Sequence, residues 1–312
     1  MRLPLALCLA ALGIIDSVLA ASSSTRNTHR PDALPPEPSS SDELSRRAKT
    51  AANITVPLPP SRAPSSPPSP VPTSMDLSIS YALSDSCLLY LTTVLSSTTL
   101  QSCLPLSLLL TTSTSYASLL SASLAQGDLT KINQLVAYTA SPSPGTDTCD
   151  KYFAGVLSAL DAKGNCAGDL AQAKAVALDA QLGVGNYKLI REASTITNPD
   201  TGKYCYLEAL ASTAPDDLYL WSLPSGTPLP GTSKPTCSKC SSLLLNHYSE
   251  SLDATTTLNG TILQNAINVV NAQCGASFAA LSTTSKSGAA RRDWVDWRLM
   301  LGIVLAGGWS LV

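Results

Sequence analysis

Nine cysteines and two histidines occur in a chain of 312 residues, and their placement decides most of the chemistry open to it. Eight of the cysteines fall between residues 75 and 284: Cys87, Cys103, Cys149, Cys166, Cys205, Cys237, Cys240 and Cys274. Cys237 and Cys240 form a C-x-x-C at the start of an expected helix, where the helix N-terminus lowers a thiol pKa and would suit a dithiol redox site. A thioredoxin-type pair follows a strand in a βαβ unit, whereas this one follows Pro228, Pro230 and Pro235 in a loop. Six other cysteines also need partners. An even count in a secreted chain reads as four structural disulfides, with 105 connectivities left open.

His29 lies in a Pro-rich segment, so His247 is the one histidine of the cysteine-bearing region. A single imidazole cannot build an HExxH site, a His-rich zinc site or a Cys₂His₂ finger. No G-x-S-x-G elbow or Walker loop is present, and Gly183-Val184-Gly185 lacks the third glycine of a dinucleotide fingerprint. No catalytic residue, metal ligand or cofactor site is therefore assigned. His247 follows Leu243-Leu244-Leu245 and reads as a half-buried helix-face residue.

Carboxylates outnumber cations, 15 to 9 over residues 75–285, and only Asp216-Asp217 and Asp147/Asp150 lie close in sequence. A glycosidase needs two carboxylates placed across a sugar, and this spacing does not demonstrate such a pair. The whole chain carries a formal charge of −2, without the basic excess of a nucleic-acid binder. Residues 217–223 alternate. If extended, they would set Leu218 and Leu220 on one face and Tyr219 and Trp221 on the other, a candidate ligand face that could stack on a sugar or an apolar molecule. The plainer expectation is that Trp221 packs against a neighbouring helix.

The elements that would hold these residues are mostly helical. Cys87, Leu91, Val94 and Leu95 share one face, as do Phe153, Val156, Leu157 and Leu160. Leu263, Ala266, Ile267, Val270 and Cys274 form a last stripe, stopped by Gly275. Residues 170–190 read as an Ala-rich helix and 104–120 as an apolar central one. Around 204–207 and 218–223 the pattern suggests a short β-hairpin. The expected fold is mainly α, a disulfide-stapled helical domain over residues 75–284.

Both ends carry processing patterns. Residues 1–20 read as a signal peptide, with Arg2, an apolar run over 3–15 and Val18-Leu19-Ala20 before the cut. Residues 21–74 read as a disordered stalk: positions 22–74 hold 12 Pro and 17 Ser or Thr, with too few large apolar groups to offset ordering entropy. Asn53 begins one N-glycosylation sequon and Asn259 a second, in the turn before the last helix. Residues 285–312 read as a GPI-attachment signal: small Ser287, Gly288 and Ala289, a polar spacer, then an apolar tail over 299–312. Attachment is expected at Ser287, with Gly288 second. The mature protein would then be tethered by a GPI lipid to the outer leaflet or linked into a cell wall.

A set of motifs across residues 80–280 resembles a family. It comprises Cys103-Leu104-Pro105-Leu106, Cys166-Ala167-Gly168-Asp169, Thr201-Gly202-Lys203-Tyr204-Cys205, Asp217 to Leu223 and Cys237-Ser238-Lys239-Cys240. Together these resemble an uncharacterised cysteine-rich domain family of fungal secreted, GPI-anchored cell-surface proteins. The resemblance implies a fungal cell surface and no particular activity. The fungal eight-cysteine haem and iron-acquisition module is much shorter than the span from Cys87 to Cys274. The leading expectation is a non-enzymatic cell-surface or cell-wall protein. The alternatives are a small-ligand or glycan-binding module, with cell-wall polysaccharide as a partner, and a carbohydrate-active hydrolase. An apolar cavity would favour binding, and two carboxylates across a groove would favour the hydrolase.

Overall fold

The structure is a computed structural model describing residues 54–77, 82–252 and 258–281. The expected signal peptide, Asn53, Ser287, Gly288 and the apolar tail lie outside the described residues. Among the described residues thirteen α-helices run in the order α1 Asp85–Leu95, α2 Thr98–Cys103, α3 Leu106–Thr112, α4 Thr114–Gln126, α5 Thr130–Ala140, α6 Thr146–Leu160 and α7 Ala167–Ala171. Then come α8 Ala175–Gly185, α9 Tyr187–Ser194, α10 Cys205–Ala211, α11 Tyr219–Ser222, α12 Lys239–Ser251 and α13 Gly260–Cys274. Short 3₁₀ turns, Pro215–Leu218 and Leu223–Ser225, flank α11. Among the described residues no helix is long and apolar enough to cross a membrane.

The longer helices follow the expected stripes. On α6 the buried residues are Cys149, Phe153, Val156 and Leu160. On α13 they are Leu263, Ala266, Ile267 and Val270, and Gly275 ends the helix at φ 108°, a backbone region that only glycine adopts without strain. Asn259 caps α13, its Oδ1 accepting from the N–H groups of Thr261 and Ile262 at 2.9 and 3.2 Å. Asn259 itself is exposed.

Two expected helices are broken. The apolar run 104–120 is divided by Pro105, which lacks an N–H and disfavours helical backbone in the residue before it. Leu104 turns into the left-handed region at φ 42°, α3 starts after Pro105, and Ser113 then caps a separate α4. The run 170–190 breaks at Ala173, φ 52°, and again between α8 and α9. Ala173 closes a Schellman turn: its N–H donates to Leu170 O at 2.9 Å, and that of Lys174 donates to Asp169 O at 3.0 Å.

The expected β-hairpin is absent. Residues 205–211 are α10, and 215–225 are consecutive short helical turns. An isolated antiparallel bridge joins Thr197 to Tyr204. Pro215 is set to open a helical turn, and Pro224 likewise stands at the start of one. Burial here follows helical spacing instead: Asp217, Leu220, Trp221 and Pro224 are buried at i, i+3, i+4 and i+7.

The expected stalk also ends earlier than its composition suggests. Residues 54–77 are extended but docked. Thr55 N–H donates to Gly127 O at 2.9 Å, and Asn133 Nδ2 to Leu58 O at 2.9 Å. Farther along, Thr73 N–H donates to Ser115 Oγ at 2.8 Å and Thr114 N–H to Asp76 Oδ2 at 2.6 Å. Such a Pro-rich segment cannot fold alone. It uses the ends of α3 and α4 as partners and buries Met75, while Ile54 and Val56 lie half-buried against the core.

Among the described residues three buried clusters make up the interior, and each contains a disulfide. Cys87–Cys166 lies with Leu91, Leu160 and Ala177. Cys103–Cys149 lies with Phe153, Val184 and Tyr187. Cys205–Cys240 lies in the largest cluster, and Cys274, bonded to Cys237, packs against it. Loops of 35 to 79 residues are closed in this way, each restricting the unfolded chain by an amount worth about 3–5 kcal/mol.

Candidate functional site

The residues singled out in the sequence are dispersed. Cys237 and Cys240 are not bonded to each other: Cys237 reaches the end of α13 and Cys240 the start of α10. The pair staples α12 to two helices. His247 sits half-buried on α12, with Nε2 3.4 Å from Leu189 O. Among the described residues no three side chains of metal-ligating type gather in one place.

Tyr219 and Trp221 do not form a common face. Two residues apart on a helical turn, they diverge by roughly 200°. Tyr219 is 42% exposed, whereas Trp221 is 7% exposed and meets Tyr206 edge-on at 4.8 Å between ring centroids. Trp221 separates two depressions, lining both.

The smaller depression, about 170 Å³, holds Glu208 and Asp217 beside the Cys205–Cys240 bridge. Both carboxylates are already engaged. Glu208 accepts from Asn198 Nδ2 at 2.7 Å and Thr201 Oγ1 at 2.5 Å. Asp217 accepts from Ser212 Oγ at 2.7 Å and from the Thr236 N–H at 2.6 Å and Oγ1 at 3.0 Å. Its neighbour Asp216 accepts from the Lys234 N–H at 2.5 Å. The Asp216-Asp217 pair thus ties the Pro-rich loop before α12 to the turn before α11. These are positioning contacts rather than a free acid and base.

The larger depression is a cleft of about 420 Å³, within the range of small-molecule sites. Helical spacing builds one wall: Asp179, Leu182, Gly183 and Asn186 follow i, i+3, i+4 and i+7 on α8 and into its C-cap. Ser107, Leu110 and Thr111 of α3 repeat that spacing beside it. Leu210 of α10 and Leu218, Trp221 and Pro224 of the turn region complete the apolar surface.

Close approach of α3 to α8 depends on Gly183. A Cβ there would collide with the Leu108 side chain, and Ser107 Oγ donates to Gly183 O at 2.5 Å. The opposite side is held by a buried pair, Tyr116 OH and Tyr206 OH at 2.7 Å. Burial pushes the pKa of both phenols upward, so they stay neutral. Asp179 is half-buried, and burial raises its carboxyl pKa as well.

Sequence reasoning reached Trp221 by a wrong geometry and missed Asp179, Asn186 and Leu210. One signal was available: Asp179 is the lone charge in the run Ala175 to Gly185.

Fold and cleft together define a disulfide-stapled helical domain with a small-molecule-sized recess beside a buried tryptophan. Residues 70–284 match a family described as a domain of unknown function (DUF7729), and the chain belongs to that family. No curated protein and no solved structure matches the chain.

Proposed function

We propose that the chain is a non-enzymatic, GPI-anchored fungal cell-surface or cell-wall protein whose ectodomain binds a small, largely apolar ligand in the Trp221 cleft. The cleft carries the choice of binding over a purely structural role: about 420 Å³ bounded mainly by Leu110, Leu182, Leu210, Leu218 and Trp221. The extracellular address rests on the terminal patterns and on the four disulfides, which persist in oxidising compartments. A glycan platform is less well supported, because Tyr219 is exposed without Trp221 beside it. A hydrolase is less well supported, because Glu208 and Asp217 are each held by several donors.

Calorimetric titration of the secreted protein with a neutral apolar probe, phenylbutanol, tests the binding reading. Saturable one-to-one binding is expected, lost in Leu182→Trp, which fills the cleft from its α8 wall. No binding to the wild-type protein, or binding unchanged by Leu182→Trp, would return the protein to a structural role. Phospholipase release of the protein from cells, abolished by bulky replacement of Ser287, Gly288 and Ala289 together, tests the anchor.

A further inference from the structure

Apart from the Trp221 indole and the Asp179 carboxylate, the polar side chains lining the Trp221 cleft are engaged within the protein. Thr111 Oγ1 donates to Ser107 O at 3.0 Å, Ser222 Oγ to Tyr219 O at 2.8 Å, and Ser225 Oγ to Ser222 O at 2.6 Å. Ser107 and Asn186 donate across the cleft wall to Gly183 O and Pro224 O. The Tyr206 hydroxyl is paired with that of Tyr116. Asp179 alone carries a charge in this lining, and its carboxylate has no hydrogen-bond or ion-pair partner among the described residues. No Lys, Arg, His or second carboxylate lines the cleft.

A half-buried carboxylate with no cation beside it is an acceptor awaiting a donor. Its environment already disfavours the lone negative charge. An ammonium group relieves that cost and donates charge-assisted hydrogen bonds, which are the stronger kind in a partly dry site. The remaining walls offer apolar contact. Asp179 sits one to two helical turns from Leu182 and Asn186 on the same wall, so one ligand can touch the carboxylate with its head and the apolar surface with its body.

Resting on the reading of the cleft as a ligand site, we infer that its ligand class is an amphipathic amine, with Asp179 as the acceptor of the ammonium head and the Leu182, Leu210 and Trp221 surface as the seat of the apolar body. A ligand with a carboxylate head is disfavoured by like charge. A hydroxyl head donates one neutral hydrogen bond and binds more weakly.

Matched probes test this with the full secreted protein: phenylbutylamine, phenylbutanol and phenylbutyrate share one apolar body and differ only in the head. The amine is expected to bind at least about tenfold more tightly than the alcohol, and the carboxylate most weakly. In Asp179→Asn the amine should fall to the affinity of the alcohol, while the alcohol is little changed. Amine binding should also weaken in acid as Asp179 takes up a proton, since no other lining group titrates in that range. Equal binding of amine and alcohol to the wild type, or an amine preference that survives Asp179→Asn, would overturn the assignment while leaving the cleft as a binding site. Failure of all three probes would overturn both. A protein that melts at the wild-type temperature in Asp179→Asn shows that the loss is local.

Discussion

Asn186 Nδ2 donates to the carbonyl of Pro224 at 2.8 Å, joining residues 38 apart. Asn186 is buried at the junction of α8 and α9, and Pro224 lies in the turn just after Trp221. The same Nδ2 also donates to Leu182 O at 2.9 Å. One amide thereby holds the tryptophan-bearing turn against the α8 wall of the cleft. Asn186→Ala strands the Pro224 carbonyl and should cost roughly 1–3 kcal/mol in urea unfolding. It should also weaken phenylbutanol binding, because the two walls are no longer tied. Unchanged stability and affinity would show that the turn is held by apolar packing alone.

Acid should loosen the junction of α1 and α7. Asp169 is buried, which by itself raises a carboxyl pKa, but hydrogen bonds from Lys174 and from the Ser84 side chain and N–H outweigh burial and hold it at about 2. An unfolded Asp titrates near roughly 3.9. The stabilisation is therefore fully present above about pH 4 and is lost as pH falls through about 2. In Asp169→Asn that acid-dependent part of the unfolding curve should disappear. Asp169→Ala should cost roughly 2–3 kcal/mol, less than a fully buried pair because the Lys174 side chain remains 25% exposed.

Ala173→Gly should stabilise the protein. Ala173 occupies the left-handed C′ position of the Schellman turn after α7 at φ 52°. An L-residue is strained there by about 1–2 kcal/mol, while glycine costs roughly 0.5–1 kcal/mol in unfolded-chain entropy. A net gain of about 0.5 kcal/mol is expected, read as a higher melting temperature. A lower one would mean that the Ala173 methyl group contributes packing greater than its strain.

Proteolysis of the unreduced protein should release Cys237 joined to Cys274 and Cys205 joined to Cys240, with no peptide closing Cys237 onto Cys240. Alkylation of the denatured, unreduced protein should label none of the eight domain cysteines. A labelled Cys237 or Cys240 would reopen dithiol chemistry at the start of α12.

Helical character was legible because it is local. Phe153, Val156 and Leu160 reveal α6 through their spacing alone, and Gly275 announces the end of α13. The even set of eight cysteines announced four bridges for the same reason: counting needs no coordinates. The apolarity of 104–120 does not by itself reveal the break that Pro105 makes, with Leu104 turned left-handed before it. Alternation over 217–223 misled because the same stretch also fits helical spacing, and it is Asp217, Leu220, Trp221 and Pro224 that the short turns bury.

Partner choice and cavity required the tertiary structure. Which cysteine meets which depends on pairs of Cα atoms coming within about 4–7 Å, and no spacing along the chain encodes that: Cys87 and Cys166 are 79 residues apart. The cleft draws on α3, α8, α10 and the turns around Trp221, segments that converge only once Gly183 admits Leu108 and Asn186 binds Pro224. By itself the sequence determined a helical, disulfide-bonded domain without recognisable catalytic motifs. Three-dimensional packing decided that Asp179 is left without a partner beside an apolar recess, because a side chain's lack of a partner is a property of everything around it.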